Sequence, residues 1–524
     1  MKKILFISLA VVLALSVGLI GCEGEEPPPE NIIKIAVVGP HTDLQGQNHW
    51  DGATLAMEEI NDAGGVDVGG TMYDVELVKV ETEEATEGED GSTGSANLQA
   101  VIDDVTFCVG GFRTEVVSVY REEAMEAGVL FMNCGAATGA LQFSVVTDYN
   151  DYKYWFKSTP YNETFLVKSL LRMTATIGGT LKGTLQYIEG LNPAYVQDAY
   201  KVSNAVGGKL RVAIIMEDAA WCAGMVPAAQ YYLPLSGFNV TGTTLVSPTA
   251  ASISTELSAI QGRNPHIIFT AFSGSVGAVY SNQRNSLGIP AMTIGINVPG
   301  QQLSHWVNTG GDCVGEIMLD TFPIGVNVTD GTEAWVDAFV SRFDRYPVYT
   351  AATYDSINAV VKAIEATDSL ESDDLIPWLE DLDNAYTEGV GTPTTAYYPM
   401  PEITITPGEL YALNETQVRA LYDIDSYGYV YSQADWGCGF SSGVQQPHIA
   451  HDTVYGPGYQ TGTGTQWQEV TGSGVKLGVW PMDLPGPSID QYGDWDFAYP
   501  GTATLYLPIG NGEPTGGMLN IPWP

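Results

Sequence analysis

Gly439-Phe440-Ser441-Ser442-Gly443 has the G-x-S-x-G spacing of a nucleophilic serine, and His448, His451 and Asp452 follow it as candidate proton carriers. An elbow serine needs a buried strand before it and a helix after it. DWGCGFSSGVQQPH offers neither, so a Gly/Ser loop is the better reading of Ser441. His448 and His451 are spaced to share one helical face as metal ligands, but Pro447 and the glycine-rich stretch beyond argue against a continuing helix, and no third ligand is evident. The acidic run ETEEATEGEDG lacks the regular oxygen-ligand spacing of a calcium loop and reads as a solvated loop or helix start. VVGPHTDLQGQNHWDG joins an apolar run to a helical one, at the place where open α/β sheets hold ligands. It lacks the dinucleotide glycine spacing and any Gly-Lys-Ser/Thr, and Asp43 would oppose a phosphate. What remains is a lip for a ligand of another kind.

The elements that would carry this lip alternate. IIKIAVVG is a β-branched run, and HWDGATLAMEEINDAGG has apolar residues at helical spacing and stops at Gly-Gly. YDVELVKVE, FCVGG and VLFMNCGAAT read as strands separated by the helices SANLQAVIDD and TEVVSVYREEAMEAG. After the aromatic segment DYKYWFKSTPYNETF, whose rings are expected to pack, a second series runs from LRVAIIMED to AMTIGIN. Two α/β units with parallel sheets follow from this alternation. Residues 166–208 receive no element, EAWVDAFVSRF and ATYDSINAVVKAIEA are further helices, and beyond Tyr386 the chain turns rich in Gly, Pro, Thr and Tyr.

The chain has 524 residues, 44% of them hydrophobic, enough for two to four compact units. A net charge of −41 repels nucleic acid and anionic lipid, which sets aside nucleic-acid binding. Lys2 and Lys3 precede the apolar run ILFISLAVVLALSVGLI, which reads as a secretory signal rather than an uncleaved anchor. The sequence L-I-G-C resembles the lipobox of prokaryotic lipoproteins, which implies that Cys22 carries lipid. EGEEPPPE then forms an extended acidic tether. Of Cys108, Cys134, Cys222, Cys313 and Cys438, at least one is an unpaired thiol; one disulfide is possible, a dense framework is not.

A lipobox, IKIAVVGP with LAMEEINDAGGV, CVGGFRTEV, NCGAAT, RVAIIMED with Trp221 after it, AATYDSINAVVKAIEA and QWQEVTGSGVKLGVWP occur in the order found in one family. Together they resemble the substrate-binding lipoproteins of branched-chain amino-acid type ABC transporters, from about Ile32 to Pro481. The resemblance implies an α/β type I periplasmic-binding-protein fold, with two Rossmann-like lobes and a ligand cleft between them. It divides the chain into a signal peptide (1–21), tether (22–31), first lobe (32–158), second lobe (159–322), a return to the first (323–447, with an insertion at about 385–445) and a return to the second with an extension (448–524).

Carried over residue by residue, the resemblance puts Asp43, Leu44 and Gln45 on one lip. Arg113 and Thr114 follow the strand FCVGG, and Ala136, Ala137 and Thr138 offer backbone groups and a hydroxyl to a ligand carboxylate. Trp221 covers the ligand from the second lobe, with Ser273 near another contact. Asn297 stands where the family has an acidic partner for an ammonium, and with Arg113 it favours a carboxylate lacking the amine, an amide or a polyol. The implied role is a tethered extracytoplasmic receptor that hands a small solute to a permease, without cofactor or catalysis. A sensor on the same fold and a hydrolase using Ser441 are the alternatives.

Overall fold

The computed structural model describes residues 31–86, 88–160, 162–324, 331–380, 463–470 and 472–480, together with Met518. Among them, thirteen strands form two sheets. The first takes β1 (Ile32–Gly39), β2 (Val66–Val68), β3 (Thr71–Glu81), β4 (Phe107–Gly110), β5 (Leu130–Asn133) and β6 (Trp155–Lys157) in the order β2-β3-β1-β4-β5-β6. All its neighbours are parallel except β2 and β3. β1 is apolar without alternation because both its faces are covered. Ile33, Ile35 and Val37 join one buried cluster, and Ala36 and Val38 join the cluster on the opposite face.

The second sheet takes β7 (Arg211–Glu217), β8 (Asn239–Val246), β9 (Ile267–Phe272), β10 (Met292–Asn297), β11 (Ile317–Asp320), β12 (Thr463–Val470) and β13 (Ser473–Trp480), ordered β13-β12-β11-β10-β9-β7-β8. The five strands from β11 to the β8 edge are parallel, while β12 runs antiparallel to β11 and β13 to β12. β7 is sandwiched like β1, with Val212, Ile214 and Met216 on one face and Ala213 and Ile215 on the other. Trp467 of β12 is fully buried, stacks on Trp306 and donates its indole N–H to Gly300 O at 2.9 Å. Lys476 of β13 is buried beside Asp320 of β11, which also accepts from Thr465 Oγ1 at 3.1 Å. The closing QW…VWP motif is therefore the antiparallel margin of this sheet.

The chain passes between the sheets after β6 and after β11, and residues 381–462, ahead of β12, lie outside the described residues. The helices Thr353–Thr367 and Ser372–Glu380 lie in sequence between β11 and β12 of the second sheet yet pack on the first. Their Ile357, Val360, Ile364, Leu375 and Leu379 share a cluster with Ile33 and Ile35.

Three readings change. The longest helix, Glu163–Leu191, fills a stretch to which the sequence assigns no element; its Leu170, Leu171, Ile177, Leu181 and Leu185 lie at helical spacing in the core of the second lobe. The acidic run is not uniformly solvated, because Glu84 is fully buried by Tyr120 and the β4 loop. Cys108, Cys134, Cys222 and Cys313 are buried free thiols, so no disulfide joins them. The aromatic segment packs as expected, with Trp155 and Phe156 wholly buried. Cys22, the signal and tether, Cys438, Ser441, His448, His451, Asp452, the insertion and most of the tail lie outside the described residues.

Candidate functional site

The C-terminal ends of both parallel sheets carry the loops singled out in the sequence. After β1, Asp43 is exposed and its N–H closes a turn on Pro40 O at 2.9 Å, ahead of the helix Leu44–Asp62. That helix start is fastened by a segment 300 residues downstream. Thr350 Oγ1 donates to Gln45 O at 3.0 Å, Val348 N to Asn48 Oδ1 at 3.0 Å, and Thr353 Oγ1 to His49 O at 2.8 Å.

After β4, Gly110 and Gly111 have φ of 128° and 91°, and a Cβ on Gly110 would lie 2.0 Å from Val38 O. The turn they permit delivers Arg113. Its Nε and Nη2 donate to Glu115 Oε1 at 3.0 and 2.5 Å, and Nη1 to the Glu84 carbonyl at 3.2 Å. The Glu84 carboxyl accepts from Arg113 N at 2.6 Å, Thr82 Oγ1 at 2.9 Å and Tyr120 Oη at 3.2 Å. Burial pushes its pKa up to about 7 despite those donors.

After β5, Asn133 shapes the next loop, donating to Ala136 O at 2.8 Å and accepting from Ala136 N at 3.0 Å. The loop leads to Thr138, whose hydroxyl meets that of Thr114 at 2.7 Å. Thr114 and Thr138 are thereby brought together. Gly139 opens the next helix, and its N–H donates to Glu163 Oε2 at 2.6 Å.

In the second lobe the centre is Glu217, at the last position of β7 and fully buried. Oε1 accepts from the N–H groups of Ser273 and Gly274 at 2.7 and 2.6 Å, and Oε2 from Ser273 Oγ at 2.7 Å and Trp221 Nε1 at 3.2 Å. Burial raises its pKa, and the donors from Gly274, Ser273 and Trp221 oppose the rise. Trp221 and Ser273 are thus joined through a carboxylate that the sequence reading passed over as the end of an apolar strand.

The two sides meet. Gln45 Nε2 of the first lobe donates to Ser273 O of the second at 2.7 Å. Leu44 and Trp221 pack against one apolar cluster that includes Ala137 and Tyr349. Tyr349 is 9% exposed, and burial with the charges of Glu217 and Glu84 raises its pKa. Asn297 is not part of this gathering: it is 3% exposed, and its side-chain amide donates to Gly277 O at 3.2 Å within the layer between β10 and the helix Val276–Ser286.

The arrangement has an apolar wall of Leu44, Ala137, Trp221 and Tyr349, with hydroxyls, carboxylates and one arginine around it. Glu217 and Tyr349 were missed. Glu217 had a signal, a carboxylate at the C-terminal edge of an apolar strand; Tyr349 had none beyond being aromatic. Among the described residues no three His, Cys, Asp or Glu side chains group to hold a metal, and no helix is long and apolar enough to cross a membrane.

Two α/β lobes meeting across a polar and apolar cleft define a hinged binding protein. Residues 33–398 match the family described as periplasmic binding protein, and the chain belongs to that family. Solved structures share the fold at low identity. The branched-chain amino-acid transporter substrate-binding protein LivJ from Streptococcus pneumoniae, in complex with isoleucine, has a TM-score of 0.56 at 15% identity, over 86% of this chain and 99% of that one. An ABC transporter substrate-binding protein from Desulfitobacterium hafniense, in complex with Leu, has 0.54 at 17%, over 85% and 100%. A solute-binding protein of an ABC transporter from R. palustris, in complex with benzoate, has 0.55 at 11%, over 85% and 96%. No curated protein sequence matches the chain.

Proposed function

We propose that the chain is the extracytoplasmic receptor of an ABC importer, tethered to the membrane through lipid on Cys22 and passing a small solute from its inter-lobe cleft to a permease. The observation that carries this is the bond from Gln45 to Ser273, with Leu44, Ala137, Trp221 and Tyr349 in one cluster across the same gap. Contacts of this kind let a solute touch both lobes at once, so that binding and closure are linked. The binding set is Asp43, Leu44, Gln45, Arg113, Thr114, Ala136, Ala137, Thr138, Trp221 and Ser273, extended by Glu217 and Tyr349. Asn297 acts beneath it by holding β10 to its covering helix. Neighbours on this fold hold isoleucine, leucine and benzoate, which share an apolar body with a polar end. The wall of Leu44, Ala137, Trp221 and Tyr349 suits such a body.

A thermal-unfolding screen of the mature chain with amines, amino acids, carboxylates, amides and sugars tests the reading. A bound solute at about 100 times its dissociation constant is expected to add roughly 2.7 kcal/mol. If no small solute raises the midpoint, the receptor reading falls.

A further inference from the structure

The lobes meet a second time where the chain leaves β11. Asp320 ends that strand, and two residues on Phe322 already packs with Leu55, Trp335, Phe339 and Tyr346 of the first lobe. Tyr346 is fixed to that lobe from both sides. Its neighbour Arg345 donates to Gln47 Oε1 at 2.8 Å and lies 3.2 Å from Asp51 Oδ2, and Val348 N donates to Asn48 Oδ1 at 3.0 Å, all on the helix that carries Leu44 and Gln45. Its own Oη donates to Phe322 O at 2.9 Å.

From the second lobe, two side chains converge on this one residue. Gln302 Nε2 donates to Tyr346 O, and Lys476 Nζ lies 4.7 Å from the centroid of its ring. Lys476 is wholly buried on β13, and it donates to two second-lobe acceptors, Asp320 Oδ2 and Gln301 O, the latter at 2.6 Å. The kind of contact matters for motion. A cation is attracted to a ring face within about 6 Å of the centroid, whereas a hydrogen bond weakens steeply once bent below about 120°. The ring can therefore turn beneath Lys476 without losing it, and a buried ammonium is costly to uncover at any angle.

We propose that Lys476 and the ring of Tyr346 form the pivot on which the two lobes turn, with Lys476 the positioning residue for closure. The proposal rests on the receptor reading above, which gives the turning its use. The Gln45–Ser273 bond parts as the cleft opens, while the Lys476–Tyr346 contact persists.

Small-angle X-ray scattering from the solute-free mature chain tests it. Tyr346→Leu removes the ring face, leaves the Lys476–Asp320 pair in place, and is expected to raise the radius of gyration. Combined with Gln45→Ala, the rise is expected to exceed the sum of the two single changes, because either restraint alone still limits the swing. Tyr346→Phe loses the bond to Phe322 but keeps the ring, and is expected to scatter like the unchanged protein. Lys476→Met together with Asp320→Asn leaves no unmatched buried charge and is expected to match Tyr346→Leu, which keeps the test open if that variant folds poorly. A role in packing alone would lower the unfolding midpoint without moving the radius. A radius unchanged in both Tyr346→Leu and the Lys476/Asp320 variant, or a Tyr346→Phe radius as large as that of Tyr346→Leu, overturns the proposal. If the radii move as expected while no solute stabilises the chain, the pivot stands and the receptor reading falls. If a solute binds and the radii stay fixed, the pivot falls and the receptor reading stands.

Discussion

Glu84 is a buried carboxyl group whose oxygens accept only from neutral donors, Arg113 N, Thr82 Oγ1 and Tyr120 Oη. Its pKa rises from 4.5 to about 7 on folding. Below pH 4.5 both states hold the proton. As pH climbs through 7 the unfolded chain ionises first, and folding loses on the order of 3 kcal/mol. Glu84→Gln removes that loss, so the unfolding midpoint of the variant minus that of the unchanged protein is expected to grow from pH 4.5 to 7.5. His49 works in the opposite sense. Burial holds it near 3 against an ordinary 6.5, so its contribution is present above 6.5 and lost as pH falls towards 3. The two slopes overlap, so the variant difference is the readout; a flat difference would mean that Glu84 ionises freely in the folded state. At this scale the sequence showed the residue types and the loops, but not the pairings. That Arg113 would fold onto Glu115, or that Glu84 would leave solvent, depends on contacts 29 residues apart or on side-chain rotation, and neither leaves a periodic trace.

The helix Leu44–Asp62 shows what a motif glycine does. A Cβ on Gly52 would lie 2.1 Å from Ala351 O and 2.7 Å from Thr353 Oγ1, so the helix can touch the 349–352 turn only with a hydrogen there. Gly52→Ala is expected to cost about 1–3 kcal/mol, read by urea unfolding, because backbone rather than a flexible side chain must move. Unchanged stability would show that the turn gives way easily. The same contact holds the lip and Tyr349 at fixed distance, so the variant should also weaken solute binding. Helical spacing made this helix legible, and the motif marked the glycine. The turn it meets was not legible as its partner, since about 300 residues intervene. The helix Glu163–Leu191 was missed for another reason: Gly178-Gly179 and repeated threonines interrupt its apolar stripe with residues of poor helix propensity.

For the molecule as a whole, the two lobes are joined at the cleft by the Gln45–Ser273 bond and the apolar cluster that spans the gap. Gln45→Ala is expected to shift the solute-free protein towards a more open form, seen in X-ray scattering as a larger radius of gyration, with saturating solute restoring the compact value. Identical scattering from variant and unchanged protein would assign closure to the apolar contacts alone. Alternating strands and helices made two parallel sheets readable from the sequence, and the order of motifs supplied the family. Which late segments complete which sheet was readable only through resemblance, because pairing across long gaps is a property of tertiary packing. That pairing has a consequence for a chain made from its N-terminus. β11 finds its neighbour β12 only 143 residues later, and β1 waits for the helix Thr353–Thr367 to cover one of its faces. Neither lobe can finish its core until synthesis is far advanced, so a chain cut short before residue 463 is expected to leave the margin of the second sheet unpaired.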